Sequence, residues 1–250
     1  MTEYNCNANS LSLQGRYRIL PEFHTLEAGA LGAVITPDDL YGYRISSPQY
    51  SRLSDLKFPG NASFDTPEIR KAAGAASDLV KSGVPVIFEL SGPLTILNAL
   101  LDTKELLRSF RRNGTLLDET LDKIQSLILP YSLLLLSSGI RHLCLADPIC
   151  SERMIGPELK RDYVIDHILP LLTEIKHSFD GPFLLHLCPK LFLSLQSYGL
   201  LNEVTIPLPE KSTFEDGYDA ALGHADLVGT TCVKRSAGPV LGGNITGLCL

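Results

Sequence analysis

The residues best suited to chemistry are the histidine and cysteine of His186-Leu187-Cys188. In an extended chain the first and third residues of a triplet point to the same face, so an imidazole and a thiolate could meet one ion here. Zinc accepts this mixture of nitrogen and sulfur in tetrahedral geometry. The competing interpretation is a buried histidine beside a core cysteine. A catalytic zinc ion typically has three protein ligands, so this reading requires a third ligand from elsewhere in the chain.

Two of the remaining cysteines are candidates for that third ligand. Cys232 follows a short apolar segment and would lie at the carboxyl end of a strand. Cys249 is the alternative, but it stands next to the end of the given sequence, where fraying disfavours a fixed ligand. Cys144 lies inside a predicted strand, Cys150 in the loop after it and Cys6 in a polar segment. We therefore expect Cys232 to complete the site.

Strands must position these residues, and the chain alternates short apolar runs with longer amphipathic segments. This alternation is typical of βα units with parallel strands. We predict strands at 84–90, 141–146, 182–187, 202–206 and 225–229. We predict helices at 66–82, from 94, at 103–112, 116–138 and 157–179, after 189, and at 214–223. Segment 32–36 could be a strand, 37–61 is predicted as an extended loop, and only the end of 236–250 could be helical.

Parallel α/β sheets place their functional sites at the carboxyl ends of the strands. Glu89, Asp147 and the His186/Cys188 pair all fall where such ends should be. Asp147 could bind substrate or orient a zinc-ligating imidazole, or it could cap the turn that it forms with Pro148. Glu89 could contact substrate, or pair with a lysine or arginine. This clustering of polar residues at strand ends predicts an enzyme.

The composition limits the class of protein. A net charge of −6 argues against a general nucleic-acid binder, which normally has a basic face. The apolar run 124–136 is shorter than the roughly 20 residues that a membrane-spanning helix needs, and Pro130 interrupts it, so we expect a buried helix. Residues 1–15 lack the pattern of a secretory signal, and six cysteines are too few for a disulfide scaffold. We expect a cytoplasmic protein.

Several motifs resemble those of the uroporphyrinogen decarboxylase superfamily. The segment 84–96, VPVIFELSGPLTI, resembles its Gly-Pro-(Leu/Phe/Trp)-Thr segment. The same order continues with a long helix, Leu145-Ala-Asp-Pro148, Gly156-Pro157 and the strand that ends in His186-Leu-Cys188. The His-x-Cys triplet resembles the zinc motif of the methyltransferase branch, which includes methylcobamide:coenzyme M methyltransferases. The tail from Ala225 to Cys232, with Asn244-Ile245 after it, resembles the last motif of that branch.

The resemblance implies an α/β fold of the TIM-barrel-like (β/α)8 type, in one barrel-like domain over 1–250. That domain would have an irregular part at 1–65 and βα units at 66–250. The barrel would be shortened or incomplete, because the amino-terminal part and the stretch between Cys188 and Cys232 are shorter than usual. The resemblance also implies Zn²⁺ held by His186, Cys188 and Cys232, with Asn244 as a further contact in the site.

The implied reaction is methyl transfer from a methylated corrinoid, brought by a separate carrier protein, to a thiol bound at the open zinc position. Coenzyme M, homocysteine or another small thiol would fit as acceptor, whereas a folate acceptor would need another role for the zinc. Glu203 or Glu210 could fill the fourth zinc position in the resting enzyme, although each fits a surface residue better. We expect no nucleic-acid or membrane partner.

Two other functions remain open. The segment Gly15–Phe23 resembles an element of the decarboxylases proper, but it carries two extra residues and lacks the arginine-rich lead-in. A cofactor-free decarboxylase of a porphyrinogen-like substrate would show clustered arginines at the barrel mouth and no metal dependence. A non-catalytic barrel subunit would bind no metal and would expose a large apolar surface where barrel units are missing.

Overall fold

The computed structural model of the chain describes residues 15–21, 25–38, 42–112 and 114–250, and these form strands that alternate with helices. The first half contains β1 (Arg18–Leu20), α1 (Leu26–Ala30), β2 (Ile35–Asp38), β3 (Gly42–Ile45), α2 (Pro67–Lys81), β4 (Val86–Ser91), α3 (Pro93–Leu100), α4 (Thr103–Arg112) and α5 (Gly114–Ser137). The second half contains β5 (His142–Ala146), α6 (Glu152–Ile155), α7 (Pro157–Tyr163), α8 (Leu169–His177), β6 (Leu184–Leu187), α9 (Pro189–Tyr198), β7 (Asn202–Pro207), α10 (Phe214–Ala221), β8 (Leu227–Val228) and β9 (Asn244–Cys249). A π-helical turn, Val164–Ile168, joins α7 to α8.

The main sheet has seven strands in the order β1-β4-β5-β6-β8-β9-β7. The first five strands run parallel, and β9 pairs antiparallel with both β8 and β7. This confirms the predicted mixed α/β fold with a parallel sheet. Within the described ranges the sheet is open, since β1 is hydrogen-bonded only to β4 and β7 only to β9. The structure thus has the parallel strands of a shortened barrel without its closure.

Alternate residues of the parallel strands enter two different hydrophobic clusters. Leu143 of β5 and Leu185 of β6 pack into the larger cluster, which includes residues of the surrounding helices. Their neighbours Cys144 and Leu184 face the other way, into a smaller cluster that includes Tyr218 of α10. Because side chains alternate along a strand, this period of two buries both faces of the sheet. We call the face that carries Cys144 and Leu184, which α10 covers, the inner face.

Helices α2 and α10 begin at threonine caps. The Thr66 hydroxyl accepts a hydrogen bond from the Ile69 N–H at 3.4 Å, and Pro67 occupies the first turn of α2. Such a cap satisfies a donor that the helix start leaves unpaired. Helix α5 contains the apolar run around Pro130 and buries one of its faces, whereas Pro130 and Leu134 are exposed, so the predicted buried helix is only partly buried. Among the described residues no helix combines the length and apolarity that crossing a membrane would require.

Two segments differ from their predictions. The end of 236–250 forms strand β9, not a helix, because Asn244–Cys249 pairs along its whole length with β7. The loop predicted at 37–61 contains β3, which forms an antiparallel hairpin with β2. Pairing forms both strands: β9 pairs with β7 from an earlier part of the chain, and β3 pairs with the adjacent β2. The predicted irregular residues 1–14, including Cys6, and the end of the decarboxylase-like segment at 22–23 lie outside the described residues.

Candidate active site

A row of polar side chains crosses the inner face of the sheet on three neighbouring strands. The register places Glu89 of β4 beside Cys144 of β5, and Cys144 beside His186 of β6. All three are buried, with exposed fractions of 4 %, 1 % and 3 %. Paired residues of adjacent strands project to the same face, so the backbone itself brings these groups together. Such a row is unusual for a sheet interior, where apolar residues dominate.

His186 is held between a thiol and a backbone carbonyl. Its Nδ1 lies 3.3 Å from the Cys144 Sγ, and its Nε2 lies 2.9 Å from the Thr231 carbonyl oxygen. A carbonyl can only accept, so Nε2 carries the ring proton and Nδ1 faces the thiol with its lone pair. Burial lowers the pKa of His186 to about 4. The imidazole is therefore neutral at pH 7, the form in which it can bind a metal.

The other two predicted ligands reach the same end of the sheet. Cys188 directly follows β6 and is the first residue before α9. Burial raises the pKa of Cys188, while backbone hydrogen bonds from Asp147 and from the start of α9 act against this rise. Cys232 is exposed and precedes the short turn Val233–Arg235. Burial raises the pKa of Cys144, and the charges of Glu89, Cys188 and Cys232 add to the rise, so each of the two cysteines lies within electrostatic reach of Cys144.

The side chains at this end of the sheet are of the types that zinc binds. In the described part of the chain no three His, Cys, Asp or Glu side chains are already arranged as a metal-binding group. An imidazole and several thiols are, however, the donors that zinc prefers. His186 also has the hydrogen bond that is typical of a metal-ligating imidazole. Its Nε2–H donates to a backbone carbonyl, and its Nδ1, which carries no proton, faces the Cys144 sulfur. Coordination would require Cys188 and Cys232 to move toward that nitrogen.

Two buried carboxyl groups lie close to each other here, Glu89 in the row and Glu27 beside it. Burial raises the pKa of Glu89 to about 7, with the nearby charge of Glu27 adding to the rise and that of Lys234 opposing it. Glu27, in the first turn of α1, accepts hydrogen bonds from the Ser91 N–H at 3.3 Å and the Ser91 hydroxyl at 2.9 Å. Burial raises its pKa as well. The sequence analysis missed Glu27, since no motif surrounds it and only the approach of α1 to the end of β4 reveals it.

The Gly-Pro-Leu-Thr segment at the end of β4 holds the side chain of Asp147 in position. Its carboxylate accepts hydrogen bonds from the Thr95 N–H and hydroxyl, the Leu94 N–H and the Tyr163 hydroxyl, at 2.5–3.3 Å. It therefore caps the start of α3, and not only its own turn. A Cβ on Gly92 would lie 2.4 Å from the Asp147 Cβ, so only glycine permits this approach. A contact of Asp147 with substrate stays a prediction.

The remaining candidates lie away from the row. Cys249 is near the amino ends of the parallel strands, where its Sγ is 3.9 Å from the His224 carbonyl, so it does not share an end with His186. Asn244 is exposed at the start of β9 and lines a cavity of about 280 Å³ with residues that include Thr230. Glu203 and Glu210 are exposed surface residues.

Helix α10 covers the row from the side opposite the sheet. The Tyr218 ring meets the His186 ring edge-on, with centroids 5.6 Å apart. Its hydroxyl is buried and has no hydrogen-bond partner among the described residues. Burial raises the pKa of Tyr218, and the charges of Cys144 and Cys232 add to the rise. Sequence reasoning missed Tyr218, because nothing in α10 indicates which sheet face it covers.

Arg16, in the segment that resembles the decarboxylases, forms ion pairs with this helix. Its guanidinium pairs with Asp216 at 2.9 Å and with Asp219 at 2.8 Å, and both carboxylates belong to α10. The neighbouring Tyr17 hydroxyl also donates to Asp219 at 2.6 Å. Arg16 therefore holds α10 against β1 and is not part of a cluster of arginines at the row.

Comparison with known proteins assigns the chain to a family. A sequence profile of the uroporphyrinogen decarboxylase (URO-D) family matches residues 19–204. The match covers more than half of the chain, so the chain belongs to the URO-D family.

Among curated proteins, the methylcobamide:CoM methyltransferase MtaA of Methanosarcina barkeri is 23 % identical over 124 residues, which is 50 % of this chain and 35 % of that protein. MtaA of the Fusaro strain is 22 % identical over 164 residues, 65 % of this chain and 47 % of that protein. A solved methyltransferase from Methanosarcina mazei superposes with a TM-score of 0.57 at 20 % identity, covering 69 % of this chain and 51 % of that one. The chain thus spans about half, or less, of the length of these relatives and shares the fold of the solved structure.

Proposed function

We propose that this chain is a methyltransferase of the URO-D family that uses zinc to activate a thiol. Similarity to the two methylcobamide:CoM methyltransferases supports the reaction class. The observation that carries the proposal is His186, whose Nε2–H is held by the Thr231 carbonyl while Nδ1 faces sulfur, with Cys188 two residues further along the chain. A neutral imidazole fixed in this way is suited to bind zinc.

The residues that would hold zinc are His186, Cys188 and Cys232. When bound, zinc would supply the positive charge that keeps a thiol with an ordinary pKa near 8.5 deprotonated at pH 7. Thr231 fixes the tautomer and orientation of His186 through its carbonyl oxygen. Glu89 holds a proton over part of the neutral pH range and so limits the negative charge beside the sulfurs. α10 and the row exclude water from the imidazole, which is 3 % exposed.

The proposed substrates are a methylated corrinoid on a carrier protein and a small thiol, with coenzyme M suggested by the names of the relatives. The thiolate sulfur attacks the methyl carbon, the cobalt–carbon bond breaks, and the corrinoid keeps the bonding electron pair. Cys188 and Cys232 would leave the site electron-rich, which preserves the nucleophilicity of a third sulfur.

The experiment is a methyl-transfer assay with zinc-loaded protein, free methylcobalamin, and coenzyme M or homocysteine, read as loss of methylcobalamin and gain of the thioether. We expect zinc-dependent transfer to at least one thiol. Cys188→Ser should lower the rate at least ~100-fold, because removal of a ligand should exceed the 10–100-fold effect of a supporting residue. Cys249→Ser, at the other end of the sheet, is the matched control and should retain the rate. No transfer by zinc-loaded wild type to any thiol would refute the proposal.

A further inference from the structure

We propose that Cys144 supplies a further sulfur ligand to the metal that His186 holds, so that the resting site contains three cysteines and one histidine. This inference rests on the proposed function and adds a residue to it. Cys144 lies inside β5, where the strand pattern alone indicates a core thiol.

The first support is the distance between the two side chains. Sulfur and nitrogen ligands lie about 2.3 Å and 2.0–2.1 Å from a tetrahedral zinc ion, which puts two such ligands about 3.5 Å from each other. The Cys144 Sγ and the His186 Nδ1 are 3.3 Å apart. The pair therefore already has nearly the spacing of two ligands on one zinc ion.

The second support is the choice of ring nitrogen. The Nε2–H of His186 is bound to the Thr231 carbonyl, so Nδ1 is the nitrogen left for a metal. The group that faces Nδ1 is the thiol of Cys144. A metal ion bound to Nδ1 would thus lie beside Cys144 before Cys188 or Cys232 approached it.

The third support is that the backbone, not a side-chain rotamer, creates this pair. Cys144 and His186 are register partners on adjacent parallel strands, and both project to the inner face. Neighbouring strands lie about 4.8 Å apart, so side chains at paired positions stay close whatever their rotamers. The buried hydroxyl of Tyr218, which has no hydrogen-bond partner among the described residues, lies on the same face.

Cys144 would also fill the fourth coordination position of the zinc ion. Glu203 and Glu210, the sequence candidates, are exposed on the surface. Three cysteines and one histidine form one of the ligand sets that zinc takes in closed sites, so a substrate thiol would displace the Cys144 sulfur, which would take up the proton that the substrate loses. Binding converts the Cys144 thiol to a thiolate: its S–H bond breaks, a sulfur–metal bond forms and the proton passes to solvent. The competing explanation is an ordinary thiol–imidazole hydrogen bond with no metal role.

Cobalt(II) distinguishes the two explanations, because each thiolate ligand adds to the sulfur-to-cobalt charge-transfer absorption. Wild type, Cys144→Ser and Cys150→Ser are loaded with Co²⁺, and zinc affinity is measured by competition with a chelator. Cys150 is a matched control, since it is fully buried but packs on the helix side of the sheet. We expect Cys144→Ser to lose one thiolate's share of the absorption and at least ~10-fold in zinc affinity, and Cys150→Ser to lose neither.

Unchanged absorption and affinity in Cys144→Ser would overturn this inference and leave the proposed function intact. A wild type that binds no metal would overturn both. If Cys144→Ser does not fold, X-ray absorption at the zinc edge of the wild type decides the question. Three sulfur neighbours per zinc ion support Cys144 as a ligand, and two sulfurs reject it.

Discussion

At the scale of single residues, the inner face of the sheet combines two opposite electrostatic effects of burial. Burial raises the pKa of Glu89 to about 7 and lowers the pKa of His186 to about 4. Both shifts favour the neutral form, because a charge in a poorly solvated interior is costly. Below about pH 7 the row therefore carries little charge of its own, and a cation bound there would displace protons from its donors.

The first prediction concerns the pH dependence of stability that Glu89 causes. Its pKa is higher in the folded chain than the ordinary value of 4.5, so the stabilising proton is fully present below about pH 4.5 and is lost as the pH rises through about 7. Over this window Glu89 should lower the free energy of unfolding by up to about 1.4 kcal/mol per pH unit. Glu89→Gln should remove this contribution.

The measurement is urea unfolding of wild type and Glu89→Gln between pH 4.5 and pH 8. The two unfolding free energies should differ least at pH 4.5. As the pH rises, the unfolding free energy of the variant should increase relative to that of the wild type. Comparing the two proteins at each pH cancels the contribution of every other titrating group. Curves that run parallel over the whole range would show that Glu89 does not titrate as described.

Only part of the candidate site could be proposed from the sequence. The alternation of side chains along a strand predicts that His186 and Cys188 share one face. In the structure β6 ends just before Cys188, which packs against the larger cluster and not on the inner face. The pairing of Cys144 with His186 could not be predicted, since it depends on the register between β5 and β6. Glu27 and Tyr218 were missed for a similar reason, because each reaches the row from an element whose docking no local pattern specifies.

At the scale of elements, the Gly-Pro-Leu-Thr motif has a structural explanation. Gly92 leaves room for Asp147, Pro93 starts α3, and Thr95 donates to the Asp147 carboxylate. The motif and the Asp-Pro segment are thus two halves of one contact that fixes α3 against the end of β5. This contact also sets the position of Asp147, whose backbone N–H is hydrogen-bonded to Cys188.

The second prediction tests this contact by adding one methyl group. Gly92→Ala would place a Cβ 2.4 Å from the Asp147 Cβ, so the backbone or the capping carboxylate must shift. Overpacking of this kind costs about 1–3 kcal/mol, and we expect at least ~2 kcal/mol here because hydrogen bonds to Asp147 are also strained. Thermal or urea unfolding measures the loss.

Gly74 provides the matched control. It lies inside α2, and a Cβ there would meet nothing within 4 Å. Gly74→Ala should therefore stabilise the chain by about 0.5–1 kcal/mol, through helix propensity alone. A Gly92→Ala variant as stable as wild type would mean that Asp147 does not approach α3 as closely as described.

Local pattern predicted most of the helices and strands but not β3 or β9. Helices α2 and α5 and strands β4, β5, β6 and β7 follow from capping residues and apolar runs, and β2 overlaps the possible strand at 32–36. β3 and β9 were not predicted, because they are defined by pairing with β2 and β7. The glycines of 236–250 also made a strand there hard to predict, although only Gly247 lies within β9.

At the scale of the whole molecule, the described chain is an open parallel sheet whose inner face is filled by α10 and by the segment after β8. In a closed (β/α)8 barrel the inner face is filled by side chains from the strands themselves. Here Tyr218 packs in the inner-face cluster, and Val233 does so from the segment after β8. The family fold could be predicted from motifs, whereas this way of covering the sheet could not, because it depends on how β7, β9 and α10 pack together with the inner face.

The central claim, a zinc site built on His186 and Cys188, is tested most directly by metal analysis. Wild type and Cys188→Ser are purified without added metal, offered zinc under reducing conditions, freed of excess and analysed for bound metal. We predict about one zinc ion per wild-type chain and a large loss of zinc in the variant. A wild type that retains no zinc after this treatment would contradict the account.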